Sequence, residues 1–309
     1  MSTEGNTTYC LGRYLIDLPA GSRVSARYTF AGSRVETHAG VSRDGFAERL
    51  AAHEAGLRNA AHRDDDSMYV AREDIAANQV SLVSWASPNS RRLYRYDDFA
   101  WFPAEQVLFQ FQGDGDATPQ TRAKASAHGR EVLGALRPRT RTEVPAGPGF
   151  CIDSGVIAHS RLNREEVTAT IRLRDYPTVT LDFMSYTTGR PANGLLKRAA
   201  SVPPGYEDVA ARMTTLRRGD RDLGPVQGQE LLVRADADGK TAYQFLWESQ
   251  GRANSIEHPF LSLELGTSSE TDDSGEVIDA PFGSSEDALA LWDAILDSLR
   301  LRPGAVSPR

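Results

Sequence analysis

Residues 107–112, VLFQFQ, alternate apolar and polar positions, the two-residue period of a strand with one buried face. Phe46, Leu50, His53 and Leu57 recur instead at the spacing of an amphipathic helix packed on a sheet. Read in this way, the first half of the chain predicts strand runs over residues 10–17 and 24–38 and then a helix opening at Ser42. Further strands are expected over residues 67–72, 79–86, 91–96 and 101–112. A closing helix begins at Thr118-Pro119, an N-cap followed by proline at the first helical position, and turns Ala125, Val132, Leu133 and Leu136 inward.

The second half repeats this plan. After GFCIDSGVI at residues 149–157, VTATIRLRDYPTVTLDFMSY reads as two alternating strands joined by a turn at Tyr176-Pro177. Val167, Ala169, Ile171 and Leu173 share one face, matched by Val179, Leu181 and Phe183. A short helix over residues 194–200 fills the place of the first helix, and strands follow over residues 213–218, 228–234, 241–248 and 259–267. The middle pair is joined by the hairpin turn DADGK. The last helix starts at Ser284 or Ser285, with Glu286 and Asp287 in its first turn, and buries Leu289, Trp292, Ile295, Leu296 and Leu299.

Both halves thus run strand, strand, helix, several strands, helix, and both close on a Leu-Arg-Pro tail. The pattern predicts an α+β protein of two related domains, residues 1–140 and 141–309, each a mainly antiparallel sheet packed against two helices. YCLGRYLIDLP and GFCIDSGVI become the first strands of the two domains, and RPRTRTEVPAGPG, with its three prolines, becomes a fairly stiff linker. The two cysteines, Cys10 and Cys151, sit at matching places. Buried apolar residues on first strands are the favoured reading, because equivalent positions in separate domains usually lie too far apart for a disulfide; pairing in an oxidising compartment stays open.

Composition narrows the function. The chain has 309 residues and a formal net charge of −7, against the basic face that a nucleic-acid binder needs. No segment has the length and apolarity of a transmembrane span, so direct membrane insertion is not expected. The start, MSTEGNTTYC, reads as lacking an export signal, which leaves either an internal protein or one whose signal was trimmed.

Catalytic signatures are missing. There is no G-x-S-x-G elbow, phosphate loop, H-E-x-x-H or G-x-G-x-x-G, and no metal or cofactor is expected. DADGK fails as a calcium loop, because placing Gly239 sixth puts Arg234 first and Phe245 last, where carboxylates are required. HRDDD, residues 62–66, offers adjacent carboxylates, but consecutive loop residues seldom converge on one ion, and a solvated helix exit is favoured. His53 reads as a packing residue rather than a base. Trp101-Phe102 at a loop edge is either core or a partner anchor.

YCLGRYLIDLP, GFCIDSGVI, GQELLVR, YQFLWES and above all DAPFGSSEDALALWDAILDSLRLRP at residues 279–303 resemble the immunity proteins cognate to class-four lipase effectors of bacterial type VI secretion systems. That resemblance implies a non-enzymatic, two-domain α+β inhibitor that clamps a phospholipase effector, one to one, and blocks its active site or lid movement. It also implies a periplasmic post, with a cytoplasmic location as the alternative. Candidate contacts are the loop residues Asp64, Asp65, Asp66, Trp101, Phe102, Glu270, Thr271, Asp272 and Asp273. Two rivals remain at this level: a hydrolase using Asp64, Asp65 and Asp66 or His53, and a chaperone that carries the effector to the secretion machine.

Overall fold

The computed structural model describes residues 5–159, 161, 164–201, 204–205, 207–237, 240–267 and 281–307. Its mostly antiparallel strands and few helices make an α+β protein. The chain divides into two compact units: a contiguous one, Arg27–Arg161, and a split one made of Met1–Ala26 with Leu162–Arg309.

Two short strands come first, β1 (Asn6–Leu11) and β2 (Tyr14–Pro19). The apolar run at residues 10–17 is therefore a hairpin and not one strand, because the chain reverses at Gly12, whose φ of 60° suits a residue without Cβ. The run at 24–38 is likewise broken, into β3 (Arg23–Phe30) and β4 (Ser33–Ala39). Ala31 and Gly32, with φ of 53° and 84°, form the tight turn whose twist matches the flanking strands.

The contiguous unit continues with α1 (Arg43–Asn59), whose N-cap Ser42 accepts the Gly45 N–H. Strands β5 (Tyr69–Ala76), β6 (Gln79–Trp85), β7 (Leu93–Phe102) and β8 (Val107–Asp116) follow. The expected strand over 101–112 is interrupted between β7 and β8, where Gln106 turns the chain at φ 53°. These strands pair in the order β3-β4-β8-β7-β6-β5. Phe46 and Leu50 on α1 close one face of the sheet over Val80, Leu82, Phe99, Trp101 and Leu108, with Leu57 at the edge. Helix α2 (Pro119–Ala135), capped by Thr118, buries Val132 and Leu133. It leads into β9 (Leu136–Pro138), which joins β10 (Phe150–Ile152) and β11 (Gly155–Ile157) in a small sheet.

The split unit holds β12 (Glu165–Leu173), β13 (Tyr176–Tyr186), the short helices α3 (Leu195–Arg198) and α4 (Glu207–Ala211), and β14 (Met213–Asp220). Then come β15 (Gln229–Ala237), β16 (Lys240–Ser249), β17 (Phe260–Thr267), α5 (Ser285–Leu296) and β18 (Arg300–Leu301). The β12–β13 turn falls at residues 174–175, so Tyr176 and Pro177 open β13 instead of forming the turn. The tip of DADGK lies outside the described residues, although β15 and β16 pair up to Ala237 and Lys240 as a hairpin requires. Helix α5 begins after its N-cap Ser284 and buries Ala288, Leu291, Trp292, Ile295 and Leu296. Leu289 is only half-buried; Ala288 and Leu291 take the inward positions around Trp292, which meets Phe245 edge-on at 5.9 Å.

Strand order in the split unit is β12-β13-β17-β16-β15-β14. Substituting β3 for β12, β4 for β13 and β5 to β8 for β14 to β17 gives the order of the contiguous unit, the mark of a duplicated architecture. Two features depart from the simple repeat. The opening hairpins are exchanged: β1–β2 is completed by β18 at the far end of the chain, and β10–β11 by β9 at the end of the first half. YCLGRYLIDLP and GFCIDSGVI are therefore hairpins that serve the other half's unit, and residues 137–149 lie within the contiguous unit instead of tethering two domains. Arg139 stitches that segment down by donating to the carbonyls of Thr140, Arg141, Glu143, Ile152 and Gly155. Helix content also differs, since the contiguous unit has α1 and α2 whereas the described part of the split unit has α5 with only the short α3 and α4. Neither Cys10 nor Cys151 is a free thiol. The reading of both as unpaired apolar fillers is corrected; it assumed that each hairpin stayed with its own half.

Candidate partner-binding surface

The HRDDD loop leaves α1 as an ordered polar cluster. His62 is buried and stacks on Trp85 at 4.6 Å and 3°. Its Nδ1 accepts the Asp65 N–H at 3.2 Å, so Nε2 carries the proton and donates to the Ser90 carbonyl at 2.7 Å. The carboxylates diverge. Asp64 takes a two-pronged contact from Arg91, at 2.5 and 2.9 Å, whose hydrogen bond holds its carboxyl below the usual range. Asp65 instead accepts the Trp85 Nε1–H at 2.6 Å, and Asp66 is exposed. Among the described residues no group of three or more His, Cys, Asp or Glu is placed to hold a metal.

Trp101 is 5% exposed, stacks on Phe46 at 5.6 Å and donates its Nε1–H to the Val41 carbonyl at 2.8 Å. Phe102, half-buried, meets Phe109 edge-on at 5.7 Å. Glu270, Thr271, Asp272 and Asp273 lie outside the described residues. The candidate contacts thus do not form one patch: Trp101 belongs to the core under α1, while Asp64 and Asp65 brace the loop that follows that helix.

His53 faces Asp97, a carboxylate only 1% exposed, at 3.2 Å. Gln110 and Gln112 donate to the other oxygen of Asp97, at 3.3 and 2.9 Å. The hydrogen bond to Asp97 raises the His53 pKa, and burial partly opposes it. A histidine backed by a carboxylate suits proton transfer, but here all the partners are strand and helix side chains closing the α1 face of the sheet. Next to it in sequence but on the other face, Asp98 is pushed up to about 6 by burial, with a Ser81 hydrogen bond opposing.

The split unit presents a polar groove of about 440 Å³ that no local sequence pattern announced. Its lining comes from the ends of β14, β15 and β16 and from the residues before α3 and β17, which meet only on folding. Glu248 pairs with Arg198 at 2.6 Å and accepts from Gln250 at 3.0 Å. Asp220 accepts from Gln229 at 3.0 Å, and Asp222 from the Gly228 N–H at 3.1 Å. Each of these carboxylates already has a donor.

No described helix is long and apolar enough to cross a membrane. No curated protein matches the chain. Residues 143–304 match the family model for the Tle cognate immunity protein 4 C-terminal domain, and residues 7–93 the corresponding N-terminal domain. Among solved structures, the chain is similar to one from the crystal structure of a Tle4-Tli4 complex, at 30% identity and a TM-score of 0.90, covering 98% of this chain and 99% of that one. It is also similar to the apo immunity protein TplEi of the T6SS from Pseudomonas aeruginosa, at 30% identity and a TM-score of 0.88, covering 98% and 99%. A third likeness, at 29% identity and a TM-score of 0.83, is to TplEi of Pseudomonas aeruginosa complexed with "L" peptide, covering 98% of this chain and 100% of that one. Both family domains are present, in order, on a fold matched over nearly its whole length: the chain belongs to the Tle cognate immunity protein 4 family.

Proposed function

We propose that this protein binds a cognate Tle lipase effector of a type VI secretion system, one to one, and holds it inactive. The observation that carries this reading is the fold's likeness over 98% of the chain to a chain of the Tle4-Tli4 complex. Inhibition needs no reacting centre, so we read the chain as a non-enzymatic guard that acts in the periplasm, where a lipid-degrading effector does its damage. Its two units serve as the two arms of a clamp that blocks the effector's catalytic pocket or lid.

Guarding against a membrane-degrading enzyme demands a very small free fraction, hence nanomolar binding, about −12 kcal/mol. Two contact regions reach this more readily than one, because the second contact forms at a high effective concentration. The exposed loop residue Asp66 and the half-buried Phe102 at the end of β7 are proposed contacts, together with Glu270, Thr271, Asp272 and Asp273. Titrating the full chain into purified cognate effector tests the reading. Phospholipase activity falls to zero at one equivalent; undiminished hydrolysis at excess inhibitor refutes it.

A further inference from the structure

The two units share one strand order, yet one sheet face is closed in one unit and left open by the described residues of the other. In the contiguous unit, the 17-residue α1 lies across β8, β7 and β6 on one face of the sheet. It supplies Phe46 and Leu50 to the apolar cluster and, one turn further on, sets His53 against the Asp97 carboxylate. Among the described residues, the corresponding connection in the split unit carries only α3 and α4, of 4 and 5 residues. Helix α3 covers the β14–β15 side, where Leu196 N–H donates to Gln229 and Arg218 donates to the Leu196 carbonyl, each at 3.1 Å. Beyond it, Thr170, Asp182, Met184 and Gln244 stand exposed.

This open face has the composition of a site awaiting the same kind of cover. Met184 is 39% exposed, an unusual state for a long apolar side chain in mid-strand. Tyr186 and Phe260 stack at 4.6 Å beside it, and Leu246 is half-buried in the next row. Asp182 and Glu264 are directly opposite one another across β13 and β17, an arrangement that like charges disfavour. Thr170 donates to Asp182 at 2.6 Å and Gln244 donates to Glu264, but neither carboxylate has a cation among the described residues. The acidic groove continues the surface, since Glu248 is in register with Ser262, and Ser262 with Met184.

We propose that this face of the split unit seats an amphipathic helix of the effector, with apolar side chains packing on Met184, Leu246 and the Tyr186–Phe260 stack and a lysine or arginine placed between Asp182 and Glu264. The internal precedent is α1, which brings two apolar residues and a basic one to the same face of the duplicate sheet. A second copy of this chain fits less well, because its own open face is equally acidic and like charges would meet. The inference rests on the reading of the protein as an effector-binding inhibitor, and it adds which surface binds and what chemistry it meets.

Calorimetry of the full chain with its purified effector tests it, and the wild type separates the two claims. If the wild-type chain fails to bind, the inhibitor reading falls and this inference with it. Given wild-type binding, the double variant Asp182→Lys, Glu264→Lys weakens affinity by about 30-fold and loses the salt dependence seen in the parent. Met184→Arg weakens it by about tenfold. The double variant Asp44→Lys, Glu48→Lys, a charge change equal to that of the first double variant but on the exposed side of α1, stays within about twofold. Asp182 and Met184 are exposed and Glu264 is half-buried, and thermal melting checks that the variants fold. Folded face variants that bind as tightly as the parent overturn the assignment, and so does a parent homodimer that these variants dissociate.

Discussion

Arg13 and Glu165, 152 positions apart in sequence, meet as a two-pronged ion pair at 2.7 and 2.6 Å, with side chains only 2% and 6% exposed. Arg13 also donates to the Ala305 carbonyl at 2.5 Å, and its own carbonyl accepts the Arg302 N–H at 2.8 Å. One side chain thus fastens the turn of the first hairpin to β12 and to the chain's last described segment. Glu165→Ala leaves the guanidinium buried without its partner and is expected to destabilise the protein by about 3–5 kcal/mol. Glu166→Ala, exposed one residue along, changes stability by less than about 0.5 kcal/mol. Urea unfolding of the two variants checks the contrast.

Asp98 makes stability depend on pH. Its carboxyl, raised from 3.8 to about 6 by burial, stays protonated in the folded state over a range where the unfolded chain has released its proton. Folded protein therefore binds more protons between those values, and stability declines as pH rises from about 4 to 6. Asp98→Asn removes this slope and is more stable than the parent at pH 7. Unfolding midpoints collected from pH 4 to 8 decide it.

His53 has a dependence of the same sign, displaced to higher pH. Its pKa is raised by Asp97, so the pair stabilises the fold fully below the unfolded value of 6.5 and loses that contribution as pH rises through the higher folded value. His53→Gln should be less stable than the parent at pH 5.5 and nearer to it at pH 8.5, read from melting curves at the two pH values.

Trp101→Ala removes the ring stacked on Phe46 and strands the Val41 carbonyl. A loss of about 3–5 kcal/mol is expected, seen as a lowered melting temperature before any effect on effector binding. A variant that melts normally yet fails to bind would instead make Trp101 an anchor.

The loop after α1 should ignore divalent ions, because Asp64 and Asp65 are turned to Arg91 and Trp85 and only Asp66 is left facing solvent. Millimolar calcium or magnesium is expected to leave the melting temperature unchanged. His62→Ala, which loses the Trp85 stack and the Ser90 bond, destabilises by about 1–3 kcal/mol, whereas exposed Asp64→Ala has little effect.

Local chemistry wrote much of this fold legibly. Ser42, Thr118 and Ser284 announced their helices because a side-chain oxygen that accepts an early N–H is a strictly local device. Val167, Ala169, Ile171 and Leu173 announced β12 because its other face is polar. The misses share a cause: CLGRYLI is apolar on both sides of Gly12, so nothing in its period marks the reversal, and nothing local tells a hairpin which half it will join. Of the candidate contacts, Trp101 looked ambiguous because aromatic residues suit both core and interface. The groove and the open β13–β17 face left no trace, being assembled from strands that are neighbours only in the folded sheet.

The exchange of hairpins sets an order of events on the ribosome. Everything needed for the Arg27–Arg161 unit has emerged once its last residue clears the tunnel, so that unit is free to fold during translation. The other needs β1–β2, made before that unit, and β18, made after it, so the hairpin waits for β18 while all the strands between them are synthesised. Termination between Arg161 and Arg300 releases a nascent chain with one closed half and one that stays open to proteolysis.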